Sequence, residues 1–298
     1  MRSLTAVFLM LFTLAACAGP RHDAPTAGAL RILLTNDDGY DSPGIVAMRD
    51  ALEGAGHRVT VVAPRENRSG SSSSSTTAGT LDLVEQRPGV WSVSGTPADA
   101  VRVGLDVVWE GAGPDLVVSG ANFGQNIGPS TLQSGTVGAA LTAMGRGYPA
   151  IAISVGINPS EVRSDPRFAS TLTAFDDAGR FLVSVVGALS AARGANGALL
   201  PEHTVLNINY PAREASEVTG VAWARIGRGS HFDFGYERAG PDRVRIVFAG
   251  GESGETIEGA DTTLFDAGNV TMTLLDGDLI APPDETQRVR EPLRGVNP

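Results

Sequence analysis

Two adjacent aspartates, Asp37 and Asp38, stand directly before Gly39 and just after the apolar run Ile32-Leu33-Leu34. Neighbouring carboxylates repel each other, which is costly unless a cation lies between or beside them. Oxygen ligands of this kind suit a hard divalent ion, Mg2+ or Mn2+. The same residues can make a plain turn, since Asp-Gly is a common turn dipeptide and aspartate caps helices. Three further stretches bear on the choice: Asn67-Arg68-Ser69-Gly70, the run from Ser119 to Asn126, and Ser134-Gly135-Thr136-Val137. All are rich in glycine and in small neutral oxygen donors, and the last opens a helical stretch whose first N–H groups can receive an anion.

Those residues act together only if the fold gathers them. From Arg31 onward, short apolar strands alternate with helical stretches, which predicts βαβ units and a largely parallel sheet. The strands are read at Ile32–Leu34, Val59–Val62, Leu116–Val118, Ala150–Ile153 and Val205–Ile208. Ser42 can cap a helix that begins at Pro43, with Ile45, Met48 and Leu52 on one face. Val137, Leu141 and Met144 form the apolar stripe of another helix, and Leu172 to Leu189 repeats the pattern. Crossover connections put the carboxyl ends of parallel strands on one side, so the donor-rich loops would share one edge. The stretch from Ser69 to Thr77 reads as a flexible linker by composition, but its place after the second strand puts it among those loops. Val244–Phe248 and Val270–Leu274 are short and bounded by glycine, as in hairpins. The tail from Ala281 is Pro- and charge-rich and is expected to be loosely ordered.

The amino end carries Arg2, an apolar run from Ala6 to Leu14, and then Leu14-Ala15-Ala16-Cys17. This pattern looks like a bacterial lipoprotein signal over residues 1–17, with Cys17 as the lipidated residue and 18–30 as a tether. An ordinary secretory signal cut near Ala18 and an uncleaved helix are the alternatives, and each takes the chain out of the cytoplasm; the lipoprotein pattern places it in the bacterial cell envelope. Cys17 is the single cysteine, so no disulfide and no cysteine-built zinc site are expected in the folded part.

The chain has 298 residues and a net charge of −10, and all 23 basic residues are arginine. An acidic protein does not gather polyanions through its overall field, so a nucleic-acid polymer is excluded as a general partner. The missing lysine excludes a P-loop and Schiff-base chemistry. A G-x-S-x-G elbow is absent, and the four histidines show no metal-ligand spacing.

Taken in order and spacing, the motifs resemble those of the SurE family. They are Asn36-Asp37-Asp38-Gly39 with Pro43-Gly44, Asn67–Gly70, Gly95-Thr96-Pro97-Ala98-Asp99, Pro114–Asn122, Ser134–Val137, Leu206–Pro211 and Asp261–Leu275. The resemblance covers residues 31–280. It implies an α/β fold, a Rossmann-like three-layer core with a mostly parallel sheet plus a C-terminal β-hairpin arm, assembled as a homodimer or homotetramer. It also implies a divalent-cation-dependent nucleotidase acting on 5'- and 3'-monophosphates, some members taking short polyphosphate. On that basis the metal ligands would be Asp37, Asp38, Ser69 and Asn122, and the phosphate pocket would be lined by Asn126, Ser134, Gly135 and Thr136. Two positions depart from the family: Gln133 stands where an aromatic residue is common, and Thr142 where an acidic one is. The alternatives are a metal phosphatase for another phosphomonoester or polyphosphate, and a lipoprotein that binds a small ligand without turnover.

Overall fold

A computed structural model describes residues 28–109, 111–165, 167–193, 197–229, 232–250, 254–278, 283–294 and 296. The elements run β1 (Arg31–Thr35), α1 (Pro43–Gly54), β2 (Arg58–Pro64), β3 (Leu83–Arg87), β4 (Val90–Val93), α2 (Pro97–Val103) and β5 (Leu116–Phe123). They continue with α3 (Gly135–Gly145), β6 (Ala150–Val155), α4 (Glu161–Ser164), α5 (Ala169–Ala191), β7 (Val205–Tyr210) and β8 (Gly220–Trp223). β9 (Phe232–Arg238), β10 (Val244–Gly250), α6 (Asp261–Asp266), β11 (Asn269–Leu275) and α7 (Pro283–Arg290) complete the order.

Nine strands form one sheet in the order β3-β4-β2-β1-β5-β6-β7-β11-β8. The central strands from β4 to β7 are parallel, while β3 and β11 run antiparallel to their neighbours β4 and β7. Alternate residues of a strand face opposite sides of a sheet. Ile32 and Leu34 therefore pack with Ile45, Met48 and Leu182 on the α1/α5 face. Leu33 packs with Val101, Val137 and Ala140 on the α2/α3 face. Both faces of β1 are covered, which is why its sequence is a continuous apolar run rather than an alternating one. Each fully buried leucine or isoleucine here contributes about 1.5–3 kcal/mol relative to exposure.

The sheet explains where the chemistry lies. From β1 the chain passes through α1 to β2 on one side, and later returns through α2 to β5 on the other. The reversal between β1 and β5 opens a crevice beyond their carboxyl ends, the place where open α/β sheets bind ligands.

Two expectations change. Val270–Leu274 belongs to β11, which inserts between β7 and β8 in the main sheet instead of pairing in a hairpin. There Val270, Thr271 and Thr273 are buried on the two faces of the sheet, a burial a solvent-facing arm cannot offer. Within the tail, Pro283–Arg290 is helical, although none of its residues is buried. Val244–Phe248 does lie in a hairpin, paired antiparallel with β9. Ser42 takes the helix N-cap position, with Pro43 following, but its hydroxyl accepts from Asn36 Nδ2 at 2.7 Å instead of capping the helix. Cys17 and the signal segment lie outside the described residues.

Candidate active site

Asn36 builds the turn that presents the aspartates. Buried at the end of β1, it donates to the Gly39 carbonyl at 3.0 Å and accepts the Gly39 N–H at 3.2 Å. Gly39 sits at φ 117°, a conformation that side-chain-bearing residues rarely adopt. The chain thus reverses with Asp37 turned inward and Asp38 turned toward β5.

Asp37 is 2% exposed, and its Oδ1 accepts the Thr136 hydroxyl at 2.6 Å. Gly135 lets the first turn of α3 close on this carboxylate: a Cβ there would lie 2.8 Å from both Asp37 Cβ and Oδ2. Asp38 accepts the Phe123 N–H at 2.8 Å and the Asn67 amide at 3.0 Å. β1, β5 and the loop after β2 are thereby joined through one carboxylate. Burial pushes both acids up from the ordinary range, against the hydrogen bonds that oppose it. For Asp38 the adjacent Asp37 charge adds to burial, and together they push it up to about 7.

Asp37, Ser69, Asn122, Asn126, Ser134 and Gln133 line one cavity of about 530 Å3. Asp38, Gly135 and Thr136 stand behind it, with Gly135 and Thr136 turned to Asp37. Asn122 donates its amide to the Gly124 carbonyl at 2.6 Å, leaving its carbonyl oxygen as the atom to offer a cation. Ser134 caps α3, its hydroxyl accepting the Val137 N–H at 3.0 Å. Thr142 points back into its own helix, donating to the Gly138 carbonyl at 2.8 Å.

The donor set fits a hard cation. Two carboxylates sit side by side with no ion-pair partner among the described residues, an arrangement whose charge calls for a cation. No group of three His, Cys, Asp or Glu side chains that could hold a metal ion occurs among the described residues, so a cation bound here would draw its further ligands from neutral oxygens such as those of Ser69 and Asn122.

Several residues that hold the site were motif members without an assigned task. Asn126 is gripped from below: its N–H donates to Asn209 Oδ1 at 2.7 Å, and its carbonyl accepts from Asn207, Asn209 and Thr131. Its own amide donates to Ser154 Oγ at 2.9 Å. Asp261, fully buried, accepts the N–H groups of Gly128 and Gly227 and so anchors the loop that follows Asn126. Asp99 performs the same service for the serine-rich loop. It accepts the Thr96 N–H in a capping box and both the N–H and hydroxyl of Thr76, at 2.9 and 2.8 Å. Ser72 and Ser73 dock the other side of that loop on the Leu132, Gln133 and Gly138 carbonyls, one of them through the Ser72 backbone N–H. The stretch from Ser69 to Thr77 is therefore a fastened loop and not a linker. A count of buried acceptors cannot be made from sequence; the only signal was that Asp99, Asn207, Asn209 and Asp261 are polar residues in otherwise apolar surroundings.

Comparison with known proteins gives a consistent result. A family model described as "Survival protein SurE" matches residues 32–233. A protein of Gloeobacter violaceus named 5'-nucleotidase SurE is 36% identical over 281 residues, covering 89% of this chain and all of that one. A protein of the same name from Treponema pallidum is 41% identical, covering 66% of this chain and 97% of its own. The crystal structure of the SurE protein from Aquifex aeolicus superposes with a TM-score of 0.71 at 32% identity, covering 88% of this chain and 99% of that one.

Proposed function

The chain belongs to the survival protein SurE family, and on that premise we propose that it is a divalent-cation-dependent phosphomonoesterase hydrolysing nucleoside 5'- and 3'-monophosphates to nucleoside and phosphate. The observation that carries this reading is the buried Asp37 beside the half-buried Asp38, two carboxylates with no ion-pair partner among the described residues, at the sheet's switch point and beside the amino end of α3. Relatives named 5'-nucleotidase support the substrate class.

Asp37, Asp38, Ser69 and Asn122 would hold the cation. Bound there, Mg2+ or Mn2+ supplies Lewis acidity at a phosphoryl oxygen and lowers the pKa of the attacking water. The chain's own groups do the rest. Asn126 and Ser134 orient the phosphoryl group, with the positive end of the α3 dipole toward the developing charge, while the N–H groups of Gly135 and Thr136 hold Asp37 in place at that helix end. Water attacks phosphorus, the P–O ester bond breaks, and the nucleoside oxygen leaves with a proton. The aspartate pair accepts the proton released by the water and passes it to the departing nucleoside oxygen, so the step ends with the pair as it began.

Phosphate release from nucleoside monophosphates, with Mn2+ or Mg2+ and then with EDTA, tests the reading. Release that EDTA abolishes is expected; undiminished release in EDTA, or none from any nucleotide, refutes it.

We further propose, from the Leu14-Ala15-Ala16-Cys17 pattern alone, that the protein is exported to the bacterial cell envelope and held there by lipid on Cys17. No helix among the described residues is long and apolar enough to cross a membrane. Palmitate label that persists in Cys17→Ser would refute the anchor. Assembly as a homodimer or homotetramer is supported by Tyr236, Val244 and Ile246, which stay 71%, 66% and 65% exposed on the hairpin. Light scattering on the purified protein measures the assembly directly.

A further inference from the structure

A second cavity, of about 980 Å3, adjoins the candidate site, and Gln125 and Ile157 line both. We propose that this cavity is the subsite for the nucleoside and that it rejects a second phosphate, an inference that rests on the nucleotidase reading above.

The position fits first. Gln125 lies between Asn122 and Asn126, and its Oε1 accepts the Ile157 N–H at 3.0 Å. That bond fixes the side chain at the boundary and leaves its amide N–H2 as a donor toward a bound substrate. A phosphoryl group held by Ser134 and Asn126 thus has its ester oxygen directed past Gln125 or out to solvent, and the larger cavity is the option that offers a nucleoside walls. Volumes of roughly 300–1,000 Å3 are those that hold small organic ligands.

The lining fits a base and a sugar. Ile157, Pro211, Ala212 and Phe265 give an apolar floor, while Asn158 and Thr173 stand at the walls. Asn158 already accepts two bonds from Ser160 through Oδ1, so its amide N–H2 is the group it can offer. Flat aromatic bases gain from such apolar surfaces, and ribose hydroxyls from the amides.

Charge decides the class of leaving group. Among the described residues the cavity is lined by one arginine, Arg213, and by the carboxylates of Glu214 and Glu217. Arg213 also donates to the Asp266 carbonyl at 3.3 Å, which ties it to that wall. A polyphosphate chain or a nucleoside diphosphate would bring further negative charge into this acidic mouth. An uncharged nucleoside would not.

Substitution Thr173→Trp, on the exposed face of α5, fills the cavity without disturbing the buried side of the helix. Adenosine binding, measured by calorimetry on the folded full chain, is expected for the wild type and weakened about tenfold or more in Thr173→Trp. The ratio of kcat/KM for AMP over that for phenyl phosphate should fall by a similar factor. Glu217→Arg should raise turnover of tripolyphosphate relative to AMP. Absence of adenosine binding in the wild type, or equal binding in Thr173→Trp with a native circular-dichroism spectrum, overturns the subsite. Adenosine binding that obeys the prediction in a protein that releases no phosphate would sink the nucleotidase reading while leaving the subsite standing.

Discussion

Replacing Asp99 tests whether the serine-rich loop is a structural part of the site. Its carboxylate accepts the Thr96 N–H at 3.0 Å, the Thr76 N–H at 2.9 Å and the Thr76 hydroxyl at 2.8 Å. A hydrogen bond to a charged group is worth about 1.5–3 kcal/mol net, and the members of such a cluster are not additive. In Asp99→Ala the Thr76 donors can turn to water as the loop lifts, so about 3 kcal/mol is expected, near the value of one or two such bonds. For a domain of this size that lowers the melting temperature by roughly 6–12 °C. Asp99→Asn keeps one acceptor oxygen but sets an N–H2 against the other donors, and should lose about half as much. The pH dependence has a defined sign. Burial raises the Asp99 carboxyl, yet the bonds from Thr96 and Thr76 outweigh it and hold the group below its ordinary value of 3.8. Its stabilisation is then complete above that value and disappears as pH falls through the lower folded-state value, so wild type and variant converge in acid. Calorimetry measures the gap, and limited proteolysis between residues 69 and 77 reports loop release. A variant that melts with the wild type and resists cleavage equally would refute the fastening of this loop by Asp99.

Other perturbations reach the site from different sides. Asp37→Asn should nearly abolish phosphate release in saturating Mg2+; normal kcat would remove Asp37 from the site. Thr136→Val deletes the hydroxyl donated to Asp37 at 2.6 Å, and Mn2+ affinity by titration calorimetry should drop about 10–100-fold. Mn2+ at 100 times its dissociation constant should stabilise the fold by about 2.7 kcal/mol, seen as a rise in melting temperature that EDTA reverses and Asp37→Asn lacks. Asp261→Ala leaves the N–H groups of Gly128, Gly227 and Thr262 without their buried acceptor; urea denaturation should register a loss of about 3 kcal/mol, with kcat/KM falling as the Asn126 loop loosens.

The amino-acid sequence by itself determined the parallel core strands, because apolar runs such as Ile32–Leu34 and Ala150–Ile153 state burial on both faces directly. Oxygen-bearing loop residues were equally legible as candidates: Asp37, Ser69, Asn122 and Ser134 are local features, and the fold brings them to one cavity. What lay beyond local pattern was partnership. The adjacency of β1 and β5, which lets Asp38 take the Phe123 N–H, joins residues 85 positions apart. Asp261 grips Gly128 across 133 positions, and β11 enters the main sheet although its own residues read as readily as a hairpin. Composition called the serine run flexible, yet it is held by acceptors on α2, on α3 and in the turn before α3 that no window around it contains. Short-range periodicity reports how each segment meets water. Only the closed chain decides which buried donor finds which acceptor, because that choice depends on distances set by every other element at once.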